Sequence, residues 1–329
     1  MNFDVIIITI SREVYFMTNM FIDLSKNRRP ETNVKENLLE GQVARACGIS
    51  LVMVIEDATE SGLEIIFNNI QQPFIHQVIL VDNGNSESVQ ILLKRFVAQA
   101  PQISLITENR IPQGQALTIA FSKINQPYVM ILDQNHQMME NATWRLLLAA
   151  QMVSGSWVMG VRRKGKANQD LPSCTYLPTP MEALKQLFKV QRSPSLAVSR
   201  ANGLQPYYVP AANSACIFMP AHVWKESQGW DESTTIWGGY SDFCLRLHEQ
   251  KGDVYYLPEV TVTEMAPRIR RWHHQLQSAW GLICYFNRHY TETSRVLRWP
   301  LALALGAVCL ITPWMNLLKA RSHARNVMA

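Results

Sequence analysis

Short apolar runs alternate with amphipathic stretches from residue 49 to about residue 135. "ISLVMVI", "QVILVDN", "ISLIT" and "YVMILDQ" lack polar alternation, as strands buried on both faces do. Between them lie "SGLEIIFNNIQQ", "SESVQILLKRFVAQA" and "GQALTIAFSKI", whose apolar positions recur at helical spacing. Such strand–helix alternation predicts an α/β fold: a doubly wound, mostly parallel sheet with ligands at the carboxyl ends of its strands. Residues 1–48 differ. A brief strand-like run, "VIIITI", precedes a polar stretch, "LSKNRRPETNVKENLLEG", with the composition of a linker or loose helix.

The strand ends carry the first candidate residues: Glu56 and Asp57, then Asp82 and Asn83, then Asp133, Gln134 and Asn135. Asp and Asn after a strand also serve as turn formers and helix caps. Their recurrence at successive strand ends, where a doubly wound sheet holds its ligand, favours a binding site. No Gly-x-Gly-x-x-Gly or Gly-x-x-x-x-Gly-Lys-Ser/Thr sequence lies beside these strands, which excludes the common dinucleotide and triphosphate loops. A phosphate here needs another holder, usually a metal carried by carboxylates.

Residues 49–290 resemble glycosyltransferase family 2, nearest to rhamnosyltransferase-like members that build bacterial surface polysaccharides. The resemblance is carried by "ISLVMVIEDATESGLEIIFNNI", by "VILVDNGNSES" and, loosely, by "TENRIPQGQALTIAF". Its most specific part is "ACIFMPAHVWKESQGWDE" followed by "DFCLRLHEQKGDVYYLPEVTV". It implies a GT-A type fold, with a nucleotide-sugar-binding α/β half over residues 49–150. A mixed acceptor half of the same domain then covers residues 151–297. It also implies an inverting transfer from a nucleotide-diphosphate sugar.

That chemistry needs a carboxylate to take the acceptor's proton, and usually a divalent cation on the departing diphosphate. By the resemblance, Asp82 contacts the nucleotide base, with Glu56, Asp57 and Asn83 beside it. Asp133-Gln134-Asn135 stands where the family has an Asp-x-Asp-like metal pair. Glu264 stands where a His commonly follows, so Asp133, Asn135 and Glu264 form an all-oxygen set suited to magnesium or manganese. The family's acidic pair falls on Gly239 and Tyr240. An unperturbed tyrosine titrates near ~10, so neither residue is a base at neutral pH. Asp242 becomes the candidate base, provided residues 238–241 are not helical; otherwise it reads as a helix-capping acid. Asp231 and Glu232 are the other carboxylates nearby. The alternative is a catalytically lapsed homologue that binds a nucleotide sugar or acts as a scaffold. Arg268, Arg270 and Arg271, in "RIRRW", supply guanidinium forks suited to the diphosphate of a donor or a lipid-linked acceptor.

Composition adds limits. The net charge of +5 over 329 residues suits an anionic small ligand or an acidic membrane surface, and no basic run is long enough to argue for nucleic acid. Six scattered cysteines without a Cys-x-x-Cys pair indicate neither a zinc site nor a disulfide framework, and point to a reducing compartment. The start lacks the charge order of a secretory signal. Residues 299–318 form a run of twenty without a charge, long enough to cross about 30 Å of hydrocarbon. Its basic flank, Lys319, Arg321 and Arg325, instead fits a segment lying in the cytoplasmic leaflet. The sequence thus predicts a cytoplasmic protein attached peripherally to the inner face of the cell membrane by residues 298–329.

Overall fold

The computed structural model describes residues 47–98, 100–177, 205–232, 236–266, 284–286 and 288–289. All lie in one compact unit, Ala46–Ala329. The sequence expectations for residues 1–46, for Arg268, Arg270 and Arg271, and for the 298–329 tail lie outside the described residues.

The predicted alternation opens the fold. Strand β1 (Ile49–Ile55) is followed by helix α1 (Glu60–Ile70), β2 (Ile75–Asn83), α2 (Glu87–Val97), β3 (Ile103–Glu108), α3 (Gln113–Phe121) and β4 (Tyr128–Leu132). Local signals set the helix ends. Thr59 caps α1 by accepting from the Gly62 N–H at 3.2 Å, and Glu87 opens α2 while Lys94 and Arg95 close it, as the helix dipole favours. Then come β5 (His136–Met138), α4 (Ala142–Ala150), β6 (Trp157–Lys164), β7 (Asp170–Leu171), β8 (Cys174–Thr175), β9 (Tyr207–Tyr208), β10 (Ala211–Ala212), β11 (Cys216–Pro220), α5 (Ala221–Glu226), α6 (Ile236–Glu249) and β12 (Asp253–Glu264).

One sheet runs across both halves in the order β3-β2-β1-β4-β11-β6-β12-β5, with β7 beside β6 and β9 beside β12. Strands β3, β2, β1 and β4 are parallel. Strand β11 lies antiparallel to both β4 and β6, and β12 runs parallel to β6. One antiparallel strand between parallel ones leaves the carboxyl ends of β1, β2, β4, β6 and β12 on a single edge. Successive side chains of β1 divide between two cores. Ile49, Leu51, Met53 and Ile55 pack with Leu63, Ile66 and Leu93, while Val52 and Val54 join Leu117, Ala120, Phe243 and Leu247. Helices α1, α2 and α4 therefore cover one face, and α3 and α6 the other.

Helix α6 corrects one expectation, since residues 236–249 are helical throughout. The glycine pair costs about 1 kcal/mol per residue in a helix. Tyr240, Phe243, Cys244 and Leu247, at i, i+3, i+4 and i+7, are all buried, and that packing outweighs the cost. Among the described residues no helix is long and apolar enough to cross a membrane.

Candidate functional site at the carboxyl edge of the sheet

The ends of β1, β2 and β4 are tied together by side-chain amides. Asn85 donates to the Ile55 carbonyl at 2.7 Å and accepts from the Ala58 N–H at 2.8 Å. It also donates to Asp82 Oδ1 at 2.7 Å. Asn83 donates to Glu56 Oε1 at 2.5 Å and to the Ile111 carbonyl at 2.8 Å, and Gln113 donates to Glu56 Oε2 at 2.7 Å. Gln134 grips the Glu56 backbone from both sides, accepting from its N–H at 3.0 Å and donating to its carbonyl at 2.5 Å. The middle residue of Asp133-Gln134-Asn135 thus joins the β4 end to the β1 end. Asp57, in the left-handed region at φ 48°, pairs with exposed Arg110 at 3.4 Å.

Glu56, Asp82, Asn83 and Asp133 therefore share one edge, as expected of residues ending neighbouring strands. Asp82 is fully buried, and its Oδ2 has no hydrogen-bond partner among the described residues. Buried acceptors are normally satisfied, which sets this oxygen apart from the bonded amides around it.

A polar chain continues from β4 across the sheet. Asp133 Oδ1 accepts from the Asn135 N–H at 2.9 Å and lies 3.0 Å from His136 Nδ1. Arg163, near the end of β6, donates from Nε to His136 Nε2 at 3.0 Å and from Nη2 to Glu264 Oε2 at 2.7 Å. Because a guanidinium only donates, His136 Nε2 must accept, which leaves the ring proton on Nδ1 to be given to Asp133. The β12–β5 register sets Glu264 opposite His136, and the Met265 N–H bonds the Asn135 carbonyl at 2.8 Å. Asp133, Asn135 and Glu264 are thus neighbours, yet the Glu264 carboxylate is held by Arg163. No group of three or more His, Cys, Asp or Glu side chains able to hold a metal occurs among the described residues.

The acceptor-side residues form a separate cluster. Asp242 is buried. Its Oδ2 accepts from Arg246 Nε at 2.8 Å and from Arg288 Nη1 at 2.9 Å, and its Oδ1 lies 2.9 Å from His289 Nε2. Burial raises its pKa, but the His289 hydrogen bond and the Arg246 and Arg288 charges outweigh this and hold it below the usual carboxylate range. An anion gripped by these groups in mid-helix is a poor proton acceptor, so the role of base expected for Asp242 does not match its surroundings. Arg246 also donates to the carbonyls of Ser227 and, at 2.7 Å, Gly229. The acid and arginine of "DFCLRL" are therefore a clamp joining α6, the loop after α5 and residues 288–289.

Tyr240, in the place of the family's second acid, is equally buried. Its ring stacks on Trp230 at 5.7 Å between centroids. Its hydroxyl lies beside the Cys244 thiol without a hydrogen bond of ordinary geometry. Burial pushes its pKa well above 10, so it is no base. Asp231 pairs with Arg288 Nη2 at 3.1 Å, and Glu232 is exposed. Asp231 also meets the donor side directly. A Cβ at Gly114, at the start of α3, would lie 2.1 Å from the Asp231 carbonyl oxygen, so glycine is required where the two halves touch.

Sequence reasoning assigned no role to Asn85, Gln113, His136, Arg163, Arg246, Arg288 or His289. Asn85, Gln113 and Arg246 lie inside the motifs above, His136 directly follows Asn135, and Arg163 lies in the basic run "RRKGK", whereas Arg288 and His289 carry no local signal.

No protein-family model and no curated protein matches the sequence. Solved structures do resemble the fold. The mannosyltransferase PcManGT from Pyrobaculum calidifontis, solved with GDP-Man and Mn2+, aligns over 85% of this chain and 75% of its own, at 16% identity and a TM-score of 0.51. GalNAc-T7, solved with UDP, GalNAc and Mn2+, aligns over 67% of this chain at 14% identity and a TM-score of 0.50. This chain spans 44% of GalNAc-T7's length. At these identities the likeness establishes the fold, which is of the GT-A glycosyltransferase type expected from the sequence.

Proposed function

We propose that the chain is a glycosyltransferase that binds a nucleotide-diphosphate sugar at the carboxyl edge of its sheet. It transfers the sugar, with inversion, to a lipid-linked or other glycan acceptor in surface-polysaccharide assembly. One observation carries the reading: Glu56, Asp82 and Asp133 end neighbouring strands on one edge, where such sheets bind ligands. The family-2, rhamnosyltransferase-like motifs support the polysaccharide role. Release of nucleoside diphosphate from a panel of UDP-, GDP- and dTDP-sugars tests it. Asp133→Ala should lower turnover about 100-fold by misplacing the donor; equal turnover in wild type and variant would sink the assignment.

A second reading has its own observation, the buried Tyr240 in the acid's place. It makes the chain a lapsed transferase that binds the nucleotide sugar or a partner enzyme without turning over.

Both solved neighbours were obtained with Mn2+, and the residues here that would meet a cation are Asp133, Asn135 and Glu264. As arranged, they do not fit one. Asn135 carries no charge, Glu264 is paired with Arg163 at 2.7 Å, and the histidine nitrogen that could ligate is occupied by the same arginine.

The membrane role rests on the uncharged run at residues 299–318 and its basic flank. Deleting residues 299–329 should move the protein from membrane pellet to supernatant at low salt. Unchanged fractionation would remove the cytoplasmic leaflet from the list of partners.

A further inference from the structure

We infer that donor binding at this edge is independent of a divalent cation, with the Arg163 guanidinium taking the diphosphate charge in the cation's place. The inference rests on the donor site proposed above. The strand order brings β6 and β12 side by side and parallel, so Arg163 and Glu264 end together, next to the loop that follows β4. Two of the guanidinium's nitrogens are fixed there, Nε by His136 at 3.0 Å and Nη2 by Glu264 at 2.7 Å. His136 is held in turn by Asp133 at 3.0 Å. Those bonds orient the fork, while Nη1 makes no hydrogen bond among the described residues.

The Arg163 side chain is 24% exposed and that of Glu264 23%, so the pair can meet a ligand. The acids are already engaged: Glu264 is paired with Arg163 at 2.7 Å and Asp133 Oδ1 lies 3.0 Å from His136 Nδ1, whereas a cage for a divalent ion needs its acids unpaired. A guanidinium already seated on Glu264 opposes a cation at that carboxylate, and its planar donors suit phosphate oxygens. The asparagine that replaces the second acid of the expected metal pair then has a reason: with a resident positive charge, a second carboxylate is not required at that position.

Equilibrium titration with UDP, GDP and dTDP, in EDTA and then in MnCl2, tests the inference. For wild type, the affinity for the preferred nucleotide should agree within about twofold between the two conditions. Arg163→Ala should weaken binding in EDTA by tenfold or more, and Arg163→Lys should recover part of the loss; unchanged melting temperatures exclude unfolding as the cause. Binding that appears only with Mn2+ overturns the inference and leaves the donor site standing. Equal affinity of wild type and Arg163→Ala in EDTA also overturns it. Absence of binding in both conditions defeats the donor site itself, and the inference with it.

Discussion

Replacing Asp242 with alanine should destabilise the fold by about 3–5 kcal/mol, the usual cost of removing one partner from a buried charge cluster. Arg246 and His289 lie around it with side chains 10% and 6% exposed, so their polar groups would lose a buried partner. The loop at Ser227 and Gly229 and residues 288–289 reach α6 through this clamp, and His289 also through Glu249 at 3.4 Å. Urea denaturation of wild type and variant at pH 7 measures the difference. The pH dependence has a definite sign. The folded carboxyl titrates below the unfolded value of about 3.9, so its contribution is complete above that pH and is lost as pH falls through the folded pKa. Acid unfolding should therefore begin below about pH 4 in wild type, and the variant should lack that component. A catalytic base would behave differently, since its removal would cost turnover and little stability. Less than 1 kcal/mol lost on Asp242→Ala would return the residue to the list of candidate bases.

If the chain is a weakened enzyme for want of its acidic pair, Gly239→Glu with Tyr240→Asp should raise sugar transfer by about 10²–10⁴-fold, the usual contribution of a positioned general base. The same change should lower stability by about 3–5 kcal/mol, because the Tyr240 ring is removed from a packed aromatic stack with Trp230. Turnover and melting temperature must move in opposite directions for the acid's absence to be the defect. Wild type with no transfer, and a restored variant that gains it, would favour the lapsed-enzyme reading. Wild-type turnover that the restored pair does not improve would show that another group already serves as base.

The donor half was legible because its signal is local. Apolar runs such as Ile49–Ile55, interrupted only by Ser50, are buried along their whole length, and the intervening helices declare themselves by spacing and caps. Glu56, Asp82 and Asp133 could be named from sequence since a residue that ends a parallel strand is placed by that strand alone. The positive side of the site could not. Arg163 reaches His136 across 27 positions and Glu264 across 101, and only the insertion of β11 between β4 and β6 determines which basic residue arrives. The surroundings of Asp242 were illegible for a related reason. Its motif position suggested an acid near the acceptor, but helix α6 turns it toward Arg246, Arg288 and His289. The glycine pair suggested a loop, and the buried face of α6 decided otherwise.

A crystal structure with a bound nucleotide-diphosphate sugar tests the assignment most directly. We expect the base at the β1 and β2 ends near Asp82 and Asn83, and the diphosphate beside Asp133 and Arg163. A nucleotide sugar bound elsewhere, or an empty carboxyl edge at saturating ligand, would contradict it.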